Sequence, residues 1–122
     1  METDAVRVVV ADDSSDTAET LAVQLRLCGY QVRTANSGEA ALALVEEELP
    51  HAVVFDVVMP GIGGDEMCRR LRDRYRDDIV LIAVTGFTNV DARVGTCFRL
   101  ADHFLTKPVD PGVLAKVLNP LG

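Results

Sequence analysis

Five polar residues follow short apolar runs of the sequence, and their types together suit phosphoryl chemistry. Asp12 and Asp13 follow the first run, Asp56 the third, Thr85 the fourth and Lys107 the fifth. Carboxylates are the ligands that Mg²⁺ prefers, and a hydroxyl and an ammonium can bind phosphoryl oxygens. One carboxylate of such a set could attack phosphorus as a nucleophile.

The apolar runs themselves predict five strands of a parallel sheet. Most are short and rich in valine and isoleucine, as expected for strands buried on both faces. They are residues 6–11, 30–35, 52–55, 79–84 and 103–106.

Longer segments with helical periodicity separate and follow the runs. The first apolar stripe runs from Ala18 to Cys28, and Gly29 stands where a left-handed helix end belongs. Asn36 and Glu39 are spaced as a capping box for the second helix. Asp110 and Pro111 are suited to start the last helix, as cap and first helical residue. The third apolar stripe comprises Gly64, Met67, Cys68, Leu71 and Tyr75, and the fourth comprises Val90, Val94, Cys97, Phe98 and Ala101. The fifth comprises Leu114, Val117, Leu118 and Leu121.

Five strand–helix units predict an α/β fold, a doubly wound five-stranded parallel sheet of the flavodoxin-like type with strand order 2-1-3-4-5. We expect one domain over residues 1–122, with a core at about 6–119. In this order the first and third strands are neighbours, so Asp12, Asp13 and Asp56 meet at one edge. Two carboxylates about 4 Å apart repel by roughly 4 kcal/mol at an effective dielectric of 20, so the cluster needs a cation or protons, and Mg²⁺ fits as the cation.

Composition narrows the classes of protein. The net charge of −7 disfavours direct binding to nucleic acid, and no apolar run is long enough for a membrane helix. The start of the sequence has no secretory signal pattern. The three cysteines form no CxxC pair and fit a reducing cytoplasm as small core residues.

At these positions the sequence resembles the receiver domain of two-component response regulators. The resemblance covers about residues 6–119 and is carried by "VVVADDS", "VVFDVVMPGIGG", "AVTGF" and "HFLTKPVD". The spacings also fit, with 43 residues from Asp13 to Asp56, 29 from there to Thr85 and 22 more to Lys107. Alone, each residue would be an ordinary helix cap, loop residue or surface lysine.

The resemblance implies a phosphoacceptor with a metal site. Asp56 would form the acyl phosphate. Asp13 would bind Mg²⁺ directly, Asp12 mostly through water, and the backbone carbonyl of Val58 would supply a further ligand, with Asp56 completing the set.

The resemblance also implies a switch. Thr85 would hydrogen-bond the phosphoryl group, and Lys107 would pair with a phosphoryl oxygen or, at rest, with Asp56. Phe104 would be the switch aromatic that turns inward, and the Lys107–Pro108 bond would be cis.

The partners implied are a histidine kinase or a histidine phosphotransfer protein, and a downstream protein bound through the fourth helix, fifth strand and fifth helix. Neither nucleic acid nor membrane is expected as a direct partner. The chain would carry out only its own phosphorylation and dephosphorylation, as single-turnover reactions, and so would not be an enzyme. His51 and His103 are both poorly placed to be a phosphodonor.

Several residues depart from the family pattern. Phe104 stands where many relatives have tyrosine, Gly86 where alanine is common, and Leu100 where a glycine usually ends the fourth helix. Val58 and Phe87 flank the site and are apolar, so neither can orient water. This predicts slow loss of the phosphoryl group.

Other functions remain open on the sequence. The chain could be a receiver fragment of a larger response regulator or hybrid kinase. A Mg²⁺-dependent aspartyl-nucleophile phosphatase is a different class, but Asp56 lacks the second aspartate two residues later. A flavin carrier and a receiver-like domain that is never phosphorylated fit less well, because "ADDSSD" is acidic and the Asp, Thr and Lys set is complete.

Overall fold

The computed structural model describes residues 5–86 and 92–119 of the 122-residue chain. Five strands alternate with five α-helices, and a short 3₁₀ turn, Arg76–Asp78, follows the third helix. The strands are β1 (Arg7–Ala11), β2 (Gln31–Ala35), β3 (Ala52–Asp56), β4 (Val80–Thr85) and β5 (His103–Thr106). The helices are α1 (Ser15–Leu27), α2 (Gly38–Glu47), α3 (Gly64–Tyr75), α4 (Ala92–Leu100) and α5 (Pro111–Leu118).

The strands form one parallel sheet with the order β2-β1-β3-β4-β5, which confirms the predicted fold. All five predicted strands are present, with ends that differ by one residue at most. Asp56 and Thr85 are the last residues of β3 and β4 rather than the first residues beyond them. Parallel strands joined by helical crossovers place all their carboxyl ends at one edge, where the polar residues collect.

The end of α1 at Gly29 and the start of α5 match the predictions, whereas the start of α2 corrects one. Ser14 caps α1 by accepting from the amide of Thr17, and Gly29 has a φ of 98° beyond its end. Asp110 caps α5, with Pro111 in the first helical position. The capping box predicted for α2 is wrong, because Ser37 rather than Asn36 caps that helix, through the amide of Ala40.

The core has two layers, one on each face of the sheet. Alternate strand residues contribute to each layer, so that Val53, Phe55 and Leu81 pack on one side and Val54 and Ile82 on the other. Helices α2, α3 and α4 cover the first layer, and α1 and α5 cover the second. Within the described residues no helix is both long and apolar enough to cross a membrane.

The cysteines do not all belong to this core. Cys68 and Cys97 are fully buried, as predicted, but Cys28 is exposed. Cys28 lies just beyond α1, where the helix has ended, so the helical stripe no longer points it inward. Val90 and Leu121, assigned to the fourth and fifth stripes, lie outside the described residues.

The end of α4 is held without the glycine that the family pattern has there. Arg72 of α3 donates from Nε to the carbonyl of Leu100, the last residue of α4, at 2.9 Å. Its other nitrogens donate to Asp102 Oδ2 at 2.6 Å and to the carbonyls of Arg76 and Ile79. The side chain of Arg72 thus donates a hydrogen bond to the last carbonyl of α4, at a position where the family pattern has a glycine to end the helix.

Candidate functional site

Three carboxylates meet where β1 and β3 end. One oxygen from each of Asp12, Asp13 and Asp56 lies within 4.8 Å of the other two. Asp12 and Asp56 are buried, whereas Asp13 is exposed. Because β1 pairs directly with β3, the strand order alone is enough to bring these side chains together.

Lys107 is the cation of this cluster. Its Nζ lies 2.8 Å from Asp56 Oδ2 and 3.3 Å from Asp12 Oδ2. The lysine follows β5, and its backbone amide donates to the carbonyl of Thr85 at 2.8 Å, which joins the ends of β4 and β5. The peptide bond from Lys107 to Pro108 is cis, as predicted.

The charges of the site perturb each other. Burial raises the pKa of the Asp56 carboxyl, and the hydrogen bond and charge of Lys107 only partly oppose that rise. Burial lowers the pKa of Lys107, but the hydrogen bond and charge of Asp56, with the charge of Asp12, outweigh it and leave the pKa raised. Among the described residues, the three carboxylates and the one ammonium of Lys107 leave the site with an excess of negative charge.

These residues fit a divalent cation. A hard cation takes carboxylate oxygens from few protein groups and keeps several waters. The exposure of Asp13 leaves water access to the cluster, and the excess negative charge is of the sign that Mg²⁺ would offset. Asp12, Asp13 and Asp56 are the side chains that could hold it.

The segment after β3 is fixed tightly against α3. The amide of Val58 donates to Asp56 Oδ1 at 3.2 Å, and the amide of Gly64 donates to the carbonyl of Val57 at 2.9 Å. A Cβ on Gly64 would lie 2.8 Å from the carbonyl oxygen of Asp56, so only glycine fits there without displacement. This packing sets the course of the backbone at Val58, whose carbonyl is the fourth predicted metal ligand.

The two predicted switch residues lie on neighbouring strands. Thr85 is buried at the end of β4, and its hydroxyl donates to the carbonyl of Gly86 at 3.4 Å. Phe104, on β5, is partly buried and packs against the core layer under α3 and α4. Phe87, predicted to flank the site, lies outside the described residues.

A cavity of about 550 Å³ opens beside the carboxylates. Asp12, Asp56 and Lys107 line its polar end, and Leu21 of α1 and Val109 after β5 line its apolar part. The site is therefore reachable by a side chain from another molecule.

Both histidines lie away from this site. His51 accepts a hydrogen bond through Nδ1 from the amide of Arg7, at the opposite edge of the sheet. His103 is exposed at the start of β5. Neither contributes to the cluster, in agreement with the sequence.

One residue beside the site was missed. Asn36 donates from Nδ2 to the backbone carbonyl of Asp12 at 3.0 Å. The pattern that drew attention to Asn36 suggested a helix cap, and no local pattern in the sequence points to a bond 24 residues away.

Comparison with known proteins gives one consistent result. Residues 8–119 match the family model described as "Response regulator receiver domain". A curated relative, the response regulator MprA of Mycolicibacterium vanbaalenii, is 40% identical over 103 residues, which are 84% of this chain and 44% of the relative. The chain thus spans less than half the length of the curated relatives it matches.

Solved structures agree in fold. A response regulator receiver protein from Pseudomonas putida is 28% identical, with a TM-score of 0.85 over 98% of this chain and 99% of that one. The signal receiver domain of a signal transduction histidine kinase from Syntrophus aciditrophicus is 29% identical, with a TM-score of 0.84 over 96% and 89%. With the family match, these likenesses show that the chain belongs to the response regulator receiver domains of two-component signalling.

Proposed function

We propose that this receiver domain accepts a phosphoryl group from phosphohistidine onto Asp56 and thereby changes its binding to a partner protein. The observation that carries the proposal is the cluster of Asp12, Asp13 and Asp56 around Lys107 at the carboxyl ends of the strands. Family membership and the open cavity beside Asp56 support it.

Mg²⁺ would be held by Asp13, by Asp12 through water, by Asp56 and by the backbone carbonyl of Val58. When bound, it supplies positive charge that offsets the oxygens of the incoming phosphoryl group. Lys107 supplies the second positive charge, since it already lies within hydrogen-bonding distance of Asp56. Removing either charge leaves the anionic nucleophile facing an anionic phosphoryl group.

The transfer is a single displacement at phosphorus. A carboxylate oxygen of Asp56 forms the new P–O bond as the P–N bond to the donor imidazole breaks, and the leaving imidazole is protonated. Ionised Asp56 is therefore the reactive form. The raised pKa of Asp56 makes this carboxylate more basic than an exposed one.

The product would act as a switch through Thr85 and Phe104. The phosphorylated side chain carries roughly two negative charges where the carboxylate carried one, and the Thr85 hydroxyl would turn toward them. Changing a two-state balance from 1:99 to 99:1 takes about 5.5 kcal/mol, whereas one charge-assisted hydrogen bond contributes about 1.5–3 kcal/mol. A full switch would therefore need Thr85 and Lys107 together, or help from a partner protein, and Phe104 would follow into the space that Thr85 leaves.

The phosphodonor partner would be a histidine kinase or a histidine phosphotransfer protein in the cytoplasm. The output partner would be a protein that binds the face formed by α4, β5 and α5. We place no nucleic acid or membrane among the direct partners. The domain would be a single-turnover switch rather than an enzyme, either alone or within a larger regulator or hybrid kinase.

We also propose a long-lived phosphoryl group. Val58 is 37% exposed beside the acceptor and carries no group that could orient an attacking water. Decay of the purified phosphoprotein within seconds would contradict this part of the proposal.

The test is incubation with Mg²⁺ and acetyl phosphate, a small phosphodonor, followed by intact mass. Wild type should gain one phosphoryl group, and Asp56→Asn should gain none. Absence of labelling in wild type, or equal labelling in both, would overturn the proposal. Release of phosphate from a phosphate ester over many turnovers would instead indicate the aspartyl phosphatase class.

A further inference from the structure

Two loops at the site are joined through the backbone of Asp12. The amide of Asp12 donates to the carbonyl of Ala35 at 3.0 Å, one residue past the last paired position of β1 and β2. The carbonyl of Asp12 accepts from Asn36 Nδ2, also at 3.0 Å. Both backbone groups of Asp12 are thus held by the segment that leads from β2 into α2.

The second of these bonds fixes the orientation of a peptide plane. The carbonyl of Asp12 belongs to the planar peptide unit that ends at the Cα of Asp13. Holding its oxygen therefore restrains where the N and Cα of Asp13 lie, and so the point from which its side chain starts. Asp12 is further restrained because its Oδ1 accepts from the amide of Ser14 at 2.9 Å.

Asn36 can donate to the Asp12 carbonyl because α2 does not need it as a cap. Ser37 caps that helix, so the amide of Asn36 is available for a bond outside its own loop. Asp13 is exposed, so burial does not confine its side chain as it confines those of Asp12 and Asp56. The position of its backbone therefore contributes to directing the Asp13 carboxylate toward the cluster.

We propose that Asn36 is a positioning residue for the divalent cation site, which it serves by orienting the Asp12–Asp13 peptide. The inference rests on the proposed function only in that the carboxylates hold Mg²⁺. Contacts that orient metal ligands commonly change metal affinity by about 10–100-fold when removed. Asn36 is exposed, so we expect the lower end of this range.

The test is the affinity for Mg²⁺, measured by isothermal titration calorimetry on the unphosphorylated chain. Asn36→Ala should weaken binding about tenfold. It alters no charge, so the loss cannot come from a weaker electrostatic attraction. The matched control is Ser37→Ala, which removes the cap of α2 in the same loop and should lower the melting temperature while leaving Mg²⁺ affinity within about twofold of wild type.

Asn36→Asp provides a second variant, with the same shape but without the donor that the Asp12 carbonyl requires. Its binding should also weaken, although its added negative charge would by itself favour a cation. Affinity within twofold of wild type for Asn36→Ala, an equal loss in Ser37→Ala, or tighter binding by Asn36→Asp would each overturn the inference. Failure of wild type itself to bind Mg²⁺ would instead count against the proposed function.

Discussion

Lys107 Nζ lies 2.8 Å from Asp56 Oδ2, although the two residues are 51 positions apart in the chain. The lysine follows β5 and the aspartate ends β3, with β4 between them. The pair therefore joins two strands that are not neighbours in the sheet, through groups that the proposed function would bring to a phosphoryl group. It connects the chemistry at Asp56 to the β5 segment that carries Phe104.

Replacing Lys107 should change the acidity of Asp56. The hydrogen bond and charge of Lys107 lower the pKa of Asp56 and offset part of the rise caused by burial. Lys107→Met should therefore raise the pKa of Asp56 further, as followed by the carbon-13 shift of its carboxyl group in the presence of EDTA. Lys116→Met, on the exposed side of α5, is the control and should leave that pKa unchanged. An unchanged pKa in Lys107→Met would show that the pair does not persist in solution.

The raised pKa of Asp56 predicts how stability without metal depends on pH. The folded protein holds this proton more tightly than the unfolded chain, so the free energy of unfolding falls as pH rises. The fall begins near the ordinary value of 3.8 and is complete above the raised folded value. At pH 7 Asp56→Asn should then be more stable than wild type by about 1 kcal/mol, because it removes one buried, repelled charge.

Urea unfolding in EDTA, from pH 3 to 7, measures this difference. The advantage of Asp56→Asn should shrink toward acidic pH, where wild-type Asp56 is protonated. A variant that is less stable than wild type at pH 7 would show that Lys107 more than offsets the burial of the carboxylate.

Mg²⁺ should stabilise the fold by binding the acidic cluster. A ligand at 100 times its dissociation constant stabilises by about 2.7 kcal/mol, so the melting temperature of wild type should rise with added Mg²⁺. Asp13→Asn should lose most of this rise, whereas Asp73→Asn, an exposed aspartate of α3, should retain it. Equal responses in the two variants would mean that Mg²⁺ acts on general surface charge.

Arg72 should matter far more to stability than its neighbours in sequence. Its side chain is 17% exposed and satisfies the end of α4, Asp102 and two further carbonyls. Arg72→Ala should cost about 2–4 kcal/mol of unfolding free energy, because four acceptors lose their donors at once and two of these hydrogen bonds are partly buried. Arg74→Ala breaks an exposed pair with Glu46 and a contact of the guanidinium with the Tyr75 ring, and should cost about 1 kcal/mol. Chemical unfolding of both variants tests the contrast, and similar costs would contradict it.

The main polar cluster could be predicted from sequence because the fold itself assembles it. Asp12, Asp13, Asp56 and Lys107 each stand at the end of an apolar run, and parallel strands bring such ends to one edge. Strand order then decides which ends are neighbours. No long-range side-chain contact had to be guessed.

Asn36, Cys28 and Arg72 show where sequence reasoning fails. The i to i+3 spacing of a capping box fits Asn36 with Glu39, yet α2 is capped one residue later, by Ser37. Asn36 instead donates to a backbone carbonyl of a distant loop, which no local pattern indicates. Cys28 continues a helical spacing beyond the point where the helix has ended. In the sequence, Arg72 cannot be distinguished from the other arginines of α3. The groups that accept its hydrogen bonds lie in separate segments of the chain, so no local pattern marks it.

The most direct test of the central claim is to locate the phosphoryl group on the chain. After labelling with acetyl phosphate and Mg²⁺, borohydride reduces an aspartyl phosphate to homoserine, which peptide mass spectrometry can place in the sequence. We predict homoserine at position 56 in wild type, and none when Mg²⁺ is replaced by EDTA. Homoserine at position 12 or 13, or its absence throughout the chain, would contradict the assignment of Asp56 as the phosphoacceptor.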